Sequence, residues 1–484
     1  VAGFSQRAGW LPWRRGGLSG NGQVNGHGSG LGGKHGVEQP VQGPRLPEER
    51  TVHLVLDLAL RIGEVQMASG AGASDATATI IAVSAAYGLP HCEVDVIFTS
   101  ITVACQRGTD EPPITSLRVV RSRGLDYTRL ADVETLVGKI TAHRIDVQGA
   151  RAELERITTA PHPYPRWVAT LAYAGMAAAV TVLIGGAADM AAFAAITTAV
   201  VDRVGRVLNR RALPFFFQQV VGGALATGAA LALLAGHVIE GRPTVLVAAA
   251  ITVLLSGLSV VSTVQDAITG YNVTAAGRTM EISLMTAGLI AGVVLALNIA
   301  TALGMAYTPL ADPLPPNAFR LPVQTIAGAA GAALFALASY AKPRALLVAS
   351  AAGGAGTAVY GALTLTGTSP ISASAIAAVV IGFAGGVVSR RLRMPPLVVA
   401  VSGLVPLLPG LTTYRGLYEL AAERSTSGLP TLMLAAAIAL ALAAGVVLGE
   451  YLAQPVRTGL SRLERRLSGP RMSGPLRPTE RRLE

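Results

Sequence analysis

In the stretch Ser256-Gly-Leu-Ser-Val-Val-Ser-Thr-Val-Gln-Asp266-Ala-Ile-Thr-Gly270-Tyr-Asn272-Val-Thr-Ala-Ala-Gly-Arg278-Thr-Met-Glu281, two carboxylates and one guanidinium interrupt an otherwise apolar half of the chain. The stretch joins two strongly hydrophobic segments without the loop of charges that normally separates such segments. An acid at the centre of a spanning helix costs about 2.5 to 3.5 kcal/mol on insertion scales. Asp266 and Glu281 therefore need compensation, and ligand or proton handling is the usual reason for keeping such groups in a membrane.

Working outward, the whole chain has the composition of a membrane protein. Of 484 residues, 51% are hydrophobic and only 14% charged, which places most of the chain in lipid. The 39 basic residues outnumber the 28 acidic ones. The arginines sit beside apolar segments instead of forming one basic face, which argues against a nucleic-acid partner. The two cysteines, Cys92 and Cys105, precede the apolar region and are expected as reduced thiols of a cytosolic domain.

Residues 1–50 are Gly-rich with scarcely any apolar periodicity and are expected to be a disordered tail without a secretory signal. The pattern Gly28-x-Gly30-x-x-Gly33 lies there without a preceding strand, and His35 stands where a phosphate loop needs Ser or Thr, so chance explains it. Residues 51–160 read as a cytosolic α/β domain: two helices, the second starting at an N-cap Ser74 or Asp75, then β-rich segments at 93–105 and 114–121, then two more helices.

Beyond Pro165 apolar segments follow in quick succession, at 166–186, 188–204, 214–236, 243–264, 279–303, 322–340, 343–363, 370–389, 395–413 and 430–452. Ten spans put both termini on one side. With the α/β domain inside, inner loops carry Arg203, Arg206, Arg210, Arg211, Arg278, Lys342, Arg344, Arg390, Arg391 and Arg393, and outer loops only Arg242, Arg320, Arg415 and Arg424. Both termini are then cytoplasmic, and the basic tail 453–484 is expected to be unfolded.

The Pro-rich linker 308–322 divides the spans into halves 166–303 and 322–452, and an odd number of spans per half inverts the second relative to the first. Inverted halves commonly hold substrate where interrupted helices meet. The fourth span of each half runs into a Gly- or Pro-interrupted stretch, Asp266 to Asn272 with Gly270 in one, Pro406 to Tyr414 with Pro409 and Gly410 in the other. Broken helix ends present unpaired N–H groups to a carboxylate, and a buried acid suits an ammonium or a proton, so the pair would suit a zwitterion. Each residue also has a plainer reading: Asp266 as a helix cap at the inner boundary, Glu281 as the partner of Arg278 one turn earlier.

The run Gly257 to Glu281, Ala287-Gly-Leu-Ile-Ala-Gly292-Val, the segment from Gly63-Glu64 through Gly70-Ala71 with Asp75, and Val405-Pro-Leu-Leu-Pro-Gly410 with Tyr414 resemble the threonine/serine exporter family over roughly residues 50–455. The resemblance implies a cytosolic domain fused to ten helices in a bacterial plasma membrane. It also implies export of threonine and serine driven by the proton motive force. Separately, no cofactor and no metal are expected, and a homo-oligomer is left open.

Two other classes are weighed beside it: a permease or channel for another small metabolite, and a membrane-anchored hydrolase with Glu64, Ser69 and Asp75 as hydrolytic groups, Gly70 being a further candidate functional position of the same domain. Against the hydrolase, the sequence holds no Gly-x-Ser-x-Gly elbow, no His-Glu-x-x-His and no Cys-x-x-Cys. His53, His91, His143 and His162 are too scattered for a metal site. Those four domain residues otherwise serve gating, or simply a helix turn and an N-cap.

Overall fold

A computed structural model describes residues 48–106, 112–121, 123–237, 243–254, 257–304, 315–392, 394–421 and 428–453. The expected Gly-rich tail up to residue 47, the basic tail beyond Ala453 and residues 308–314 of the Pro-rich linker lie outside the described residues.

The first part is an α/β unit. Helices α1 (Glu49–Ala68) and α2 (Ala73–Ala86) precede strands β1 (Cys92–Ile97), β2 (Ser100–Cys105) and β3 (Ile114–Val119), which are followed by α3 (Tyr127–Thr141) and α4 (Val147–Thr159). The strands form an antiparallel sheet in the order β1-β2-β3. The segment 93–105 is thus two strands, folded back at Phe98, whose φ is 55°. Alternate residues Ile101, Val103 and Cys105 of β2 are buried, as a half-covered strand requires. They meet Val52, Val55, Leu56, Ile62 and Ile80 from the apolar faces of α1 and α2 in one core.

Cys92 lies directly opposite Cys105 in the β1–β2 register, and both are free thiols. Burial, reinforced by a hydrogen bond with Cys105, pushes the Cys92 thiol up to about 12. The thiolate is the reactive form, so folded protein at pH 8 should leave Cys92 unalkylated by iodoacetamide while urea-unfolded protein is modified. Mass spectrometry of the two samples checks this.

The remaining helices are α5 (Arg166–Leu183), α6 (Ala188–Arg210), α7 (Phe215–Ala235), α8 (Pro243–Leu254), α9 (Gly257–Ile268), α10 (Asn272–Ala302), α11 (Leu321–Ala338), α12 (Pro343–Leu365), α13 (Pro370–Leu392), α14 (Pro396–Leu404), α15 (Gly410–Ala421) and α16 (Gly428–Ala453). Among the described residues seven helices are long and apolar enough to cross a membrane, or eight if α14 and α15, bent by 48° at the turn between them, count as one span. The ten expected crossings are therefore not all matched by length and composition. Helix α6 carries Asp202, Arg203, Arg206 and Arg210 in its second half, and α8 is only 12 residues long. Helix α10 also starts seven residues before the expected span at 279, so Arg278 and Glu281 lie within it.

The packing of the halves is repeated. In the first, α5 packs on α6 and α7 on α10; in the second, α11 packs on α12 and α13 on α16; and α5 meets α11 between them. The chain enters α5 from the α/β unit, where Arg129 Nη2 donates to the Ala160 carbonyl at 3.1 Å. By contrast α11 leaves towards that unit: the Ser339 carbonyl accepts from Tyr127 N at 3.0 Å and Lys342 Nζ pairs with Asp132 at 2.5 Å. Helices α5 and α11 therefore run in opposite senses.

Each half's core also includes part of the other's interrupted fourth helix. Tyr414 and Tyr418 of α15 are buried with Ala177, Ala194, Leu246, Leu289 and Val293 of the first half. Val261 of α9 is buried with Ala377, Ile381, Leu404 and Leu442 of the second. The halves are thus interlocked through α9 and α15.

Small residues allow the closest helix pairs. A Cβ at Gly292 of α10 would overlap the Val220 carbonyl oxygen of α7, and one at Gly449 of α16 would overlap that of Val379 of α13. Gly292→Leu and Gly449→Leu should each destabilise the detergent-solubilised protein by about 1–3 kcal/mol or more, whereas Gly228→Ala, with nothing within 4 Å of the added Cβ, should be near neutral. Thermal unfolding of the three variants checks the contrast.

Candidate functional site

The turn between α9 and α10 grips the α/β unit at its helix α2 and its β1–β2 hairpin, beside the contacts made by the α11–α12 junction. Helix α2 starts at Ala73, with Gly72 at its N-cap and no side chain of its own capping it. The expected cap at Ser74 or Asp75 is not used, because both lie inside the helix. Asp266 supplies the cap from α9: its Oδ1 accepts from Ala73 N at 2.7 Å, and Gly72 lets it approach, since a Cβ there would stand 3.2 Å from that oxygen. A carboxylate at this place answers the unpaired N–H groups and positive end of α2.

The second oxygen of Asp266 lies 2.9 Å from Arg278 Nη1. Asp266 is 0% exposed and Arg278 4%, so this is a buried ion pair. Asp266 is accordingly a cap at a helix boundary, but of a helix remote in sequence. Glu281 does not pair with Arg278, as helical spacing suggested; Asp266 holds that guanidinium, and Glu281 receives Arg123 Nη1 from the α/β unit at 2.6 Å.

Around this pair the same turn makes further contacts. The Thr274 hydroxyl donates to the Val96 carbonyl at 2.8 Å and accepts from Phe98 N at 3.0 Å, so it clamps the tip of the β1–β2 hairpin. The Phe98 ring packs on Gly277 and carries Arg123 5.1 Å above its centre. Tyr271 is buried in the α/β core, following Gly270 at φ 89°, a left-handed conformation that favours glycine. Asn272 begins α10. Gln265 Nε2 donates to Asp75 at 3.2 Å.

Of the other residues selected from the sequence, Glu64 pairs with Arg118, which also reaches Asp57 at 3.3 Å. Ser69 and Gly70, with φ 98°, end α1. Pro406 is buried in the turn between α14 and α15, near Gly331 of α11. Pro409 accepts from Thr413 N at 2.9 Å. Gly410 opens α15, and Tyr414 is buried against the first half. Among the described residues no hydrogen bond or ion pair joins Asp266, Arg278 or Glu281 to the run Pro406 to Tyr414. Sequence reasoning missed Tyr271, Gly277, Phe98 and Arg123; the one available signal was Gly72 at a helix start, where a Ser, Thr or Asp would be expected.

Interlocked helical halves joined to an α/β unit through a buried carboxylate that caps one of its helices define a multi-pass membrane protein. Residues 57–300 match a family profile described as "Putative threonine/serine exporter" and residues 324–452 one described as "Threonine/Serine exporter, ThrE". The chain is 41% identical to a "Probable threonine/serine exporter" of Mycobacterium tuberculosis, over 84% of this chain and 78% of that protein. It is 36% identical to a "Threonine/serine exporter" of Corynebacterium glutamicum, over 86% and 87%. A "Probable succinate transporter subunit YjjP" of Escherichia coli is 28% identical over 44% of this chain and 82% of its own length. No solved structure matches. The chain belongs to the threonine/serine exporter family, a family of membrane exporters and not of enzymes.

Removing one partner of a buried ion pair costs about 3–5 kcal/mol, because the other charge is left uncompensated. Asp266→Ala should therefore loosen the α/β unit, seen as faster overall cleavage by trypsin and a lower melting temperature. Adding Arg278→Ala should recover part of the loss, and a double-mutant cycle on the melting curves measures how much.

Proposed function

We propose that this chain exports threonine and serine across a bacterial plasma membrane as a secondary carrier driven by the proton motive force. In this reading ten helices cross the bilayer in two inverted halves, and the α/β unit and both termini are cytoplasmic. The observation that carries the reading is the reciprocal exchange of α9 and α15 between two opposed halves, the arrangement in which one half rocks against the other around a central site. The orientation is supported by the junctions nearest the α/β unit, which bear Arg206, Arg278, Lys342 and Arg344.

Asp266 is the coupling group in this mechanism. The charged groups near it are Arg278, Arg123, Glu281 and, through Gln265, Asp75. While docked it is shut off from water. Protonation removes its charge, and a neutral acid neither holds Arg278 nor answers the start of α2 as strongly. Proton uptake at Asp266 therefore weakens the grip of α9 and α10 on the α/β unit and frees the inner mouth to move. Arg278, Glu281, Gly270 and Asn272 shape that grip, and Pro406, Pro409, Gly410 and Tyr414 form the hinge of the opposite broken helix. Glu64, Ser69, Gly70 and Asp75 brace the docked surface of the α/β unit.

In proteoliposomes, outward-directed threonine or serine flux should rise with an imposed pH gradient and collapse with a protonophore. Flux indifferent to the gradient refutes the coupling, and absence of flux for both amino acids refutes the substrate. Asp266→Asn, which keeps the shape but cannot ionise, should abolish gradient-driven flux while the protein still inserts. The similarity to a succinate transporter subunit favours a second substrate class, so counterflow with succinate belongs in the same assay.

A further inference from the structure

We infer that a cavity at the start of α5 is the loading site for the amino-acid zwitterion. This inference rests on the exporter reading and adds a site to it. The cavity, about 240 Å³, lies where α5, the end of α6 and the α11–α12 junction meet beneath Leu125 of the α/β unit, and Arg166, Thr170, Tyr173, Asp202, Arg206 and Tyr340 line it. Pockets for drug-sized molecules start at about 300 Å³; this one suits a molecule of amino-acid size.

Its charges are arranged for two opposite groups a short distance apart. Arg206 Nη2 meets Asp202 Oδ2 at 2.7 Å and Thr170 Oγ1 at 2.5 Å, and Arg206 Nε reaches the Asp202 carbonyl at 3.3 Å. Among the described residues Arg206 Nη1, Asp202 Oδ1, the Arg166 guanidinium and the Tyr173 hydroxyl make no hydrogen bond or ion pair. Arg166 and Arg206 line the cavity with a single carboxylate, Asp202, so the lining carries one net positive charge and suits an anion. A substrate carboxylate meets Arg166 and Arg206 Nη1, its ammonium meets Asp202 Oδ1, and its side-chain hydroxyl meets Tyr173.

An intrahelical Arg–Asp pair four residues apart stabilises a helix by only about 0.3–0.5 kcal/mol. Helix stability therefore does not account for an open carboxylate oxygen and a second arginine on a cavity at the mouth of the bundle. The cavity touches the α/β unit and shares no residue with the Asp266 cluster, so loading and docking are separate parts on the same side of the membrane part.

The test is equilibrium binding of radiolabelled L-threonine to the full-length protein in nanodiscs, with L-threonine amide and N-acetyl-L-threonine as competitors. Wild type should prefer the free zwitterion to both. Asp202→Asn should weaken threonine by about tenfold or more and lose its discrimination against the N-acetyl compound. Arg206→Gln and Arg166→Gln should instead lose discrimination against the amide. A helix-stabilising role alone would not exchange these preferences. If either helix-pair variant fails to fold, Tyr173→Phe should still lower affinity for threonine relative to alanine. Wild-type transport of threonine with unchanged binding preferences in the folded variants overturns the loading site and leaves the exporter reading intact. Wild type that neither binds nor transports threonine or serine overturns both.

Discussion

A buried carboxylate has to be answered, and the way Asp266 is answered sets the relation between the two parts of this protein. One of its oxygens takes Arg278 from the next helix, the other takes the first N–H of α2 from a different layer of the molecule. Neither contact alone suffices: the ion pair without the cap leaves an unfilled helix start, and the cap without Arg278 leaves a bare charge. Around it the Thr274 hydroxyl, Tyr271 and the Phe98–Gly277 contact add shape to the charge. The α/β unit is thus joined to the membrane part by specific polar chemistry and not by a flexible tether alone.

Inside the membrane part the constraint is different. Lipid gives apolar helices little reason to prefer each other, so association relies on close backbone approach. Gly288, Gly292 and Gly223 between α7 and α10 are mirrored by Gly382, Gly445 and Gly449 between α13 and α16, so both pairs bring their backbones into close contact. Helices α8 and α15 contribute to one core and α9 and α14 to the other, so each fourth segment has a neighbour in both halves.

Much of this was legible in the sequence. The helix–helix–strands–helix–helix order follows from periodicity and turn residues, and the interruptions at Gly270 and at Pro406–Gly410 stand out because little else is polar there. What could not be read were contacts far apart along the chain. Glu281 seemed paired with Arg278 because helical neighbours are the only partners a sequence displays, yet Arg123 and Asp266 take them. Likewise α2 seemed to cap itself at Ser74 or Asp75, whereas Gly72 leaves room for a cap from elsewhere. The amphipathic α6 counted as a span by length alone, although its second half bears the charges that line the cavity.

The cap of α2 also has a meaning in time. Ala73 and Asp266 are 193 positions apart, so at about 5–20 residues per second the ribosome delivers the cap roughly 10 to 40 s after the helix start that needs it. Throughout that interval α1 to α4 can fold, but the opening turn of α2 stays unfinished. It is completed only once α9 and α10 have been made and threaded into the bilayer. Nascent chains that fail to insert therefore keep an exposed, uncapped helix start, and docking marks the molecules whose membrane part has assembled.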